Sequence, residues 1–215
     1  MNRFINENKV FLLLQCIFLF LGAVIILLFE RGSEILYVNG LHNHFLNQFF
    51  LWVTRLAEAP LVMLILIITL TMSYGKGMVL LLTYLLNGAV TQFMKIVVFA
   101  GEARPAAYFE GKAQLNFAEG LTLLKDNTFP SGHTSGAFAV LFMISILTTD
   151  KRWAAPLFTM ALLVGVSRVY LMMHFFRDIY WGSITGVMVA SMFYLLFVRS
   201  NWYHNLSWKD KSLVN

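Results

Sequence analysis

Apolar runs separated by short charged stretches dominate this chain, at residues 10–29, 60–73, 77–99, 131–149, 154–173 and 180–198. An α-helix needs roughly 20 residues to cross about 30 Å of hydrocarbon, and the runs approach or reach that length. The first is bounded by Lys9 and by Glu30-Arg31. It is too long for a signal peptide and no small-residue cleavage site follows, so it reads as an uncleaved first span. The second is the shortest. It opens on Pro60, which suits a first helical turn, and can borrow a turn from the residues before it. The third is interrupted only by Asn87, Thr91, Gln92 and Lys95. Within hydrocarbon only a helix satisfies its own backbone groups. The pattern therefore predicts an all-α fold: an integral membrane bundle of six transmembrane helices, forming a single domain over 1–215.

Two polar segments interrupt the runs. Residues 34–58 carry Leu41, Phe45, Phe49, Trp52 and Leu56 at helical spacing, which predicts a helix lying in the membrane interface. Residues 101–130 have no spanning pattern and form a long outer loop between helices three and four. Loops of this length are usually functional or mobile.

Composition narrows the class. Of 215 residues, 59% are hydrophobic and 13% charged, against about 45–50% and about 25% in soluble domains. The mean hydropathy is +0.69. Disorder is excluded by the apolar content, a disulfide scaffold by the single cysteine, Cys16, and a soluble globule by the area left to hide. The net charge of +5 fits topology rather than nucleic acid. Six spans put both termini on one side. That side carries eight basic residues (Arg3, Lys9, Lys76, Lys151, Arg152, Arg199, Lys209, Lys211) against three acidic ones, while the other carries eight of each. The positive-inside rule assigns the termini to the cytoplasm. The runs leave no soluble domain, which suggests a minimal prokaryotic enzyme of the cytoplasmic (inner) membrane.

Three polar clusters fall on the outer side of this topology. The first is Lys95, then Arg104-Pro105. The second is Pro130-Ser131-Gly132-His133. The third is Ser167-Arg168, His174 and Asp178. Each has a bland reading taken singly: an interface anchor, a loop charge, a helix cap, a structural ion pair. Together they place three cations, two histidines and a carboxylate at one membrane face. Three converging cations suit a multi-oxygen anion, most simply phosphate. Ser131 and Gly132 open a helix, where free N–H groups favour an anion, and Gly132 permits close approach. His174 and Asp178 share a face if helical. The carboxylate can hold one imidazole nitrogen as N–H and leave the other nucleophilic, and His133 can protonate the leaving oxygen. His42 and His44 lack nearby carboxylates, so a structural or interfacial role is expected rather than a metal site. No cofactor or metal is expected.

These residues make the chain resemble the type 2 phosphatidic acid phosphatase family, the membrane lipid-phosphate phosphatases related to vanadium haloperoxidases. The family signature is Lys, six residues, Arg-Pro; then Pro-Ser-Gly-His; then Ser-Arg, five residues, His, three residues, Asp. The second and third parts stand complete at 130–133 and 167–178. In the first part, eight residues separate Lys95 from Arg104, and the two extra residues fall to the loop around Gly101. The resemblance implies that His174 attacks phosphorus, that Asp178 orients and polarises His174, and that His133 is the general acid and then activates water. It implies that Lys95, Arg104, Ser131, Gly132 and Arg168 bind the phosphate oxygens, without a metal.

A site at this depth suits a lipid head group whose tails stay in the bilayer. Undecaprenyl pyrophosphate, phosphatidylglycerol phosphate, phosphatidic acid and lipid A phosphate all qualify. Phe99, Tyr108, Phe109, Phe129, Tyr170, Phe175, Phe176, Tyr180 and Trp181 surround the motifs, either as an interfacial aromatic belt or, for some of them, as the lining of a lateral portal for acyl or prenyl chains. Phe109, Leu115, Phe117, Leu121 and Leu124 predict an amphipathic lid over a lateral portal. Other readings are a catalytically inactive lipid-binding or lipid-transport protein, a phosphatase of a soluble phosphate ester, and a vanadate-dependent oxidant.

Overall fold

A computed structural model of the chain describes residues 2–213, and every regular element among them is helical. The α-helices are α1 (Asn2–Glu7), α2 (Lys9–Leu28), α3 (Ser33–Asn39), α4 (His44–Arg55), α5 (Ala59–Met72), α6 (Tyr74–Phe93), α7 (Pro105–Tyr108), α8 (Gly132–Leu147), α9 (Ala154–Tyr170), α10 (Phe176–Phe193) and α11 (Asn201–His204). Wider π-helical turns extend α6 over Met94–Val98 and α10 over Tyr194–Val198.

All six apolar runs are helical, but they are unequal. Four described helices, Lys9–Leu28, Tyr74–Val98, Lys151–Tyr170 and Phe176–Val198, are long and apolar enough to cross a membrane. A fifth crossing requires α4 and α5 together, bent by 45° at their junction. α8, the fourth expected span, has only 16 residues. The chain is a multi-pass membrane protein, and Phe20, Leu27, Ile67, Leu85 and Met192 point outward as a lipid-facing surface would require.

α8 is the centre of the bundle, packed by α6, α9 and α10 and buried continuously from Ala137 to Met143. A helix solvated by protein has no need of a hydrocarbon-length apolar run. Phe11, Phe138, Phe142 and Phe158 stack at its heart, with centroids 4.6–6.4 Å apart. α10 crosses α8 backbone to backbone at Gly182 and Gly186. A Cβ on Gly186 would stand 2.3 Å from the Ser135 carbonyl oxygen. Glycines at such spacing let membrane helices approach closely. Gly186→Ala should destabilise the folded protein by about 1–3 kcal/mol despite the better helix propensity of alanine. A thermal melt in detergent that matched wild type would contradict this.

Several boundaries differ from the sequence expectation. Residues 34–58 form two helices, not one. The chain breaks at Gly40, and Asn43 caps α4 by accepting from Leu46 N at 3.0 Å. α4 does not simply lie on an interface, because Val53 and Thr54 are buried and α4 packs on α9. The fifth run leaves its helix at Tyr170, not at 173. Met172 adopts φ +57°, and the Arg168 carbonyl accepts from both Met173 N and His174 N. α10 starts four residues before the expected 180. Asp178 accepts from Phe175 N at 2.9 Å, and Glu34 of α3 accepts from Phe176 N at 3.1 Å; both satisfy N–H groups at a helix start.

The segment expected to form an amphipathic lid is mostly irregular. Its regular structure is limited to α7, because Gly111 and Gly120 take positive φ and interrupt helical continuation. The loop is also fastened. Asn39 Nδ2 donates to Asn116 O at 2.7 Å and Asn39 Oδ1 accepts from Asn116 N at 2.9 Å. Phe109 is buried beside Ile35 and Phe175 with Leu115 against them, whereas Leu124 is exposed.

Candidate active site

Two of the three cations, Lys95 and Arg104, meet at one backbone carbonyl. Asn127, at φ +56°, turns its oxygen to within 3.1 Å of Lys95 Nζ and 3.5 Å of Arg104 Nη2. Its side chain accepts from Gly101 N at 3.1 Å. Between Lys95 and Arg104 the chain runs through the π turn carrying Lys95 and a left-handed turn at Gly101, φ +78°. Arg104 is further fixed by Asp126 O at 2.9 Å and Met173 O at 3.1 Å. Arg168 donates to Thr54 Oγ1 of α4 at 2.7 Å, and its Nε is buried without a partner. Lys95, Arg104 and Arg168 are 8%, 6% and 5% exposed. Among the described residues none of them has a carboxylate within ion-pair distance, whereas nearby Arg31 and Arg177 share Glu102. Buried charge is costly unless compensated, so these cations want an anion that the chain does not supply.

His174 and Asp178 meet, but not across a helix face. His174 precedes α10 and Asp178 lies in its first turn. The direct approach, His174 Nδ1 to Asp178 Oδ2, is 3.5 Å. Thr128, fully buried, bridges them: its Oγ1 is 2.5 Å from Asp178 Oδ2 and 3.3 Å from His174 Nδ1. An ionised carboxylate only accepts, so the hydroxyl donates to Asp178 and accepts from Nδ1–H. The proton on Nδ1 leaves Nε2 with a free lone pair. Arg104 Nη1, which can only donate, stands 3.4 Å from that Nε2 and agrees with this tautomer. Burial, and then the charges of Arg104, Arg168 and Lys95, push the His174 pKa well below its ordinary 6.5. The ring is therefore neutral at neutral pH, as a nucleophile must be.

Ser131 caps α8. Its Oγ is 3.4 Å from Thr134 N and 2.9 Å from Thr134 Oγ1, and its N–H donates to Asp178 O at 3.0 Å. The cap thus ties the second motif to the third. Gly132 and His133 line a cavity of about 650 Å³ together with Lys95, between the α4–α5 junction, α6 and α8. A Cβ on Gly132 would meet no protein atom nearer than 3.8 Å. Packing alone does not demand glycine there. Arg104, Arg168 and His174 are not among the residues lining that cavity; His174 is 1% exposed. His42 is structural: its Nε2 is 2.8 Å from Tyr170 O and its ring stacks on Tyr170. No group of three or more His, Cys, Asp or Glu side chains placed to hold a metal occurs among the described residues.

Sequence reasoning missed Thr128, Asn127 and Thr54. Thr128 had a weak signal, two residues ahead of Pro130. Thr54 had none, because it lies in a segment remote from every motif.

Residues 76–202 match the family model of the PAP2 superfamily. Lipid phosphate phosphatase 1 of Arabidopsis thaliana is 31% identical over 155 residues, covering 60% of this chain and 46% of that protein. Lipid A 1-phosphatase of Porphyromonas gingivalis is 29% identical over 91 residues, 41% of this chain and 19% of that one. The matched part thus spans less than half the length of these curated relatives. Among solved structures, Aquifex aeolicus LpxE superposes with a TM-score of 0.65 at 25% identity, covering 78% of this chain and 96% of that one. A PAP2 type phosphatidylglycerolphosphate phosphatase from Bacillus subtilis shares the fold, with a TM-score of 0.59 at 20% identity over 86% and 93% of the two chains. With the family model covering more than half of its length and the motifs assembled around three cations that lack a carboxylate partner, the chain belongs to the PAP2 superfamily.

Proposed function

We propose that the chain hydrolyses a lipid phosphate monoester or pyrophosphate without a metal, through a phosphohistidine intermediate. The observation that carries this reading is the set of three buried cations with no carboxylate partner, next to a histidine whose unprotonated Nε2 faces Arg104. Lys95, Arg104 and Arg168, with Ser131 and the N–H groups that open α8, bind the phosphate oxygens and stabilise the charge developing in the transition state. Nε2 of His174 attacks phosphorus. The bond to the alcohol oxygen breaks as His133 donates a proton to it. Water, deprotonated by His133, then attacks the phosphohistidine and releases inorganic phosphate. Asp178 holds the Nδ1 proton through Thr128.

The substrate is a lipid by this reading, since Leu85 at the cavity is 55% exposed on the apolar exterior. The candidate head groups are undecaprenyl pyrophosphate, phosphatidylglycerol phosphate, phosphatidic acid and lipid A phosphate. We further propose one six-span domain in the cytoplasmic membrane, with both termini inside and the site facing outward. In that arrangement α4 and α5 make one span and the short α8 another.

Detergent-solubilised protein is expected to release phosphate from at least one of these lipids in EDTA. During turnover of 32P-labelled substrate it should carry a label that is stable in base and lost in acid, as a phosphoramidate is. Release abolished by EDTA, or a water-soluble ester turned over as well as every lipid, would overturn the reading. Bound lipid without release would favour an inactive binding or transport protein.

A further inference from the structure

The cavity holding Lys95, Gly132 and His133 contains an acid that no motif accounts for. Glu58 sits at the junction of α4 and α5 and lines the same cavity. It occupies the N-cap position of α5, where a carboxylate could accept from the first N–H groups, yet it makes no cap hydrogen bond. Among the described residues its side chain has neither a hydrogen-bond nor an ion-pair partner. One helical turn earlier, Thr54 holds Arg168 at 2.7 Å, so the junction that orients a phosphate-binding cation also presents Glu58. A carboxylate lining the same cavity as Lys95 opposes phosphate binding there unless it does something else.

Asn87, 2% exposed, lines the cavity as well. Its Oδ1 accepts from Ser135 Oγ at 2.6 Å, and Ser135 Oγ accepts from Thr91 Oγ1 at 3.2 Å. That chain fixes the amide orientation and leaves Nδ2, which has no partner among the described residues, as an unused donor. The cavity therefore offers one donor and one charged acceptor beyond the phosphate-binding groups, and it is also lined by His133, the proton donor to the leaving alcohol in the reading above.

We propose that Glu58 and Asn87 read a free hydroxyl on the leaving alcohol, so that the preferred substrate is a phosphate monoester on a polyol head group. A hydroxyl donates to Glu58 and accepts from Asn87, and so uses both. An ammonium could not accept from Asn87. A second phosphate would meet the Glu58 carboxylate, which disfavours a pyrophosphate, and a leaving alcohol without a hydroxyl leaves both groups unpaired. This inference rests on the phosphatase reading above.

The test compares phosphatidylglycerol phosphate with its analogue built on propane-1,3-diol, which lacks only the hydroxyl beside the ester. Wild-type protein is expected to lose about tenfold or more in kcat/KM on the analogue, as sites built to pair a substrate hydroxyl do. Glu58→Gln should lose a comparable factor on the hydroxylated lipid and show little further loss on the analogue, the non-additivity of two groups in contact. Wild type treating both lipids alike would overturn the inference, even if the variant failed to fold. So would a Glu58→Gln loss that is equal on both lipids, which marks support of Arg168 only. Absence of EDTA-resistant release from either lipid, with His174→Ala indistinguishable from wild type, would instead sink the phosphatase reading itself.

Discussion

His174→Ala should lower phosphate release from every lipid substrate by at least about 10³-fold, because a covalent route loses its nucleophile. The ring is buried, its Nδ1 is committed to Thr128, and its Nε2 faces Arg104. No other described side chain stands at that position against Arg104. The base-stable label should vanish with the activity, while the detergent gel-filtration profile stays that of wild type. Residual turnover within tenfold of wild type would show that water attacks the phosphate directly. The same environment predicts a pH response. His174 is held below its ordinary 6.5 by burial and by three cations, so kcat/KM should show no acid limb from this group near that pH. The unfolded chain takes up the proton first as pH falls. Stability supplied by the neutral ring is therefore present above about 6.5 and is lost below it, which melts at pH 7.5 and 5.5 would register.

Thr128→Val should cost about 10²-fold in kcat with KM changed far less. Valine keeps the shape but removes the hydroxyl that links Asp178 to His174. The remaining gap of 3.5 Å is outside good hydrogen-bond length. The ring would then sample the tautomer with its proton on Nε2, which cannot attack phosphorus. Thr128→Ser restores the hydroxyl and should recover activity to within a few-fold. That rescue separates orientation of the ring from mere packing. Equal losses in the serine and valine variants would assign Thr128 to packing, and an unchanged kcat in Thr128→Val would mean that Asp178 reaches the ring unaided.

The two glycines at 182 and 186 and the four phenylalanines packed around α8 belong to a level that hydropathy does not report. A span in contact with lipid and a span in contact with protein both read as apolar. The runs alone therefore predicted six comparable crossings, whereas α8 proves to be a short central helix wrapped by the others. The Gly182-Ser183-Ile184-Thr185-Gly186 spacing was the available hint of that contact. Residues 34–58 misled for a related reason. Their helical periodicity was real, but Gly40 broke it and a partner helix, α9, buried Thr54.

By itself the sequence determined the helical class and the membrane setting, and it picked out the eight motif residues proposed to form the site. Each of these rests on local information: the length of an apolar run, or a spacing that repeats a known chemistry. Tertiary structure decided how those residues work together. Asn127 gathers Lys95 across 32 residues of chain and Arg104 across 23, Thr128 reaches Asp178 across 50, and Thr54 holds Arg168 across 114. Such contacts depend on where helices cross and where loops are fastened. Hydrogen bonds between residues so far apart in the chain leave no periodic trace along it, so only the folded arrangement could reveal them.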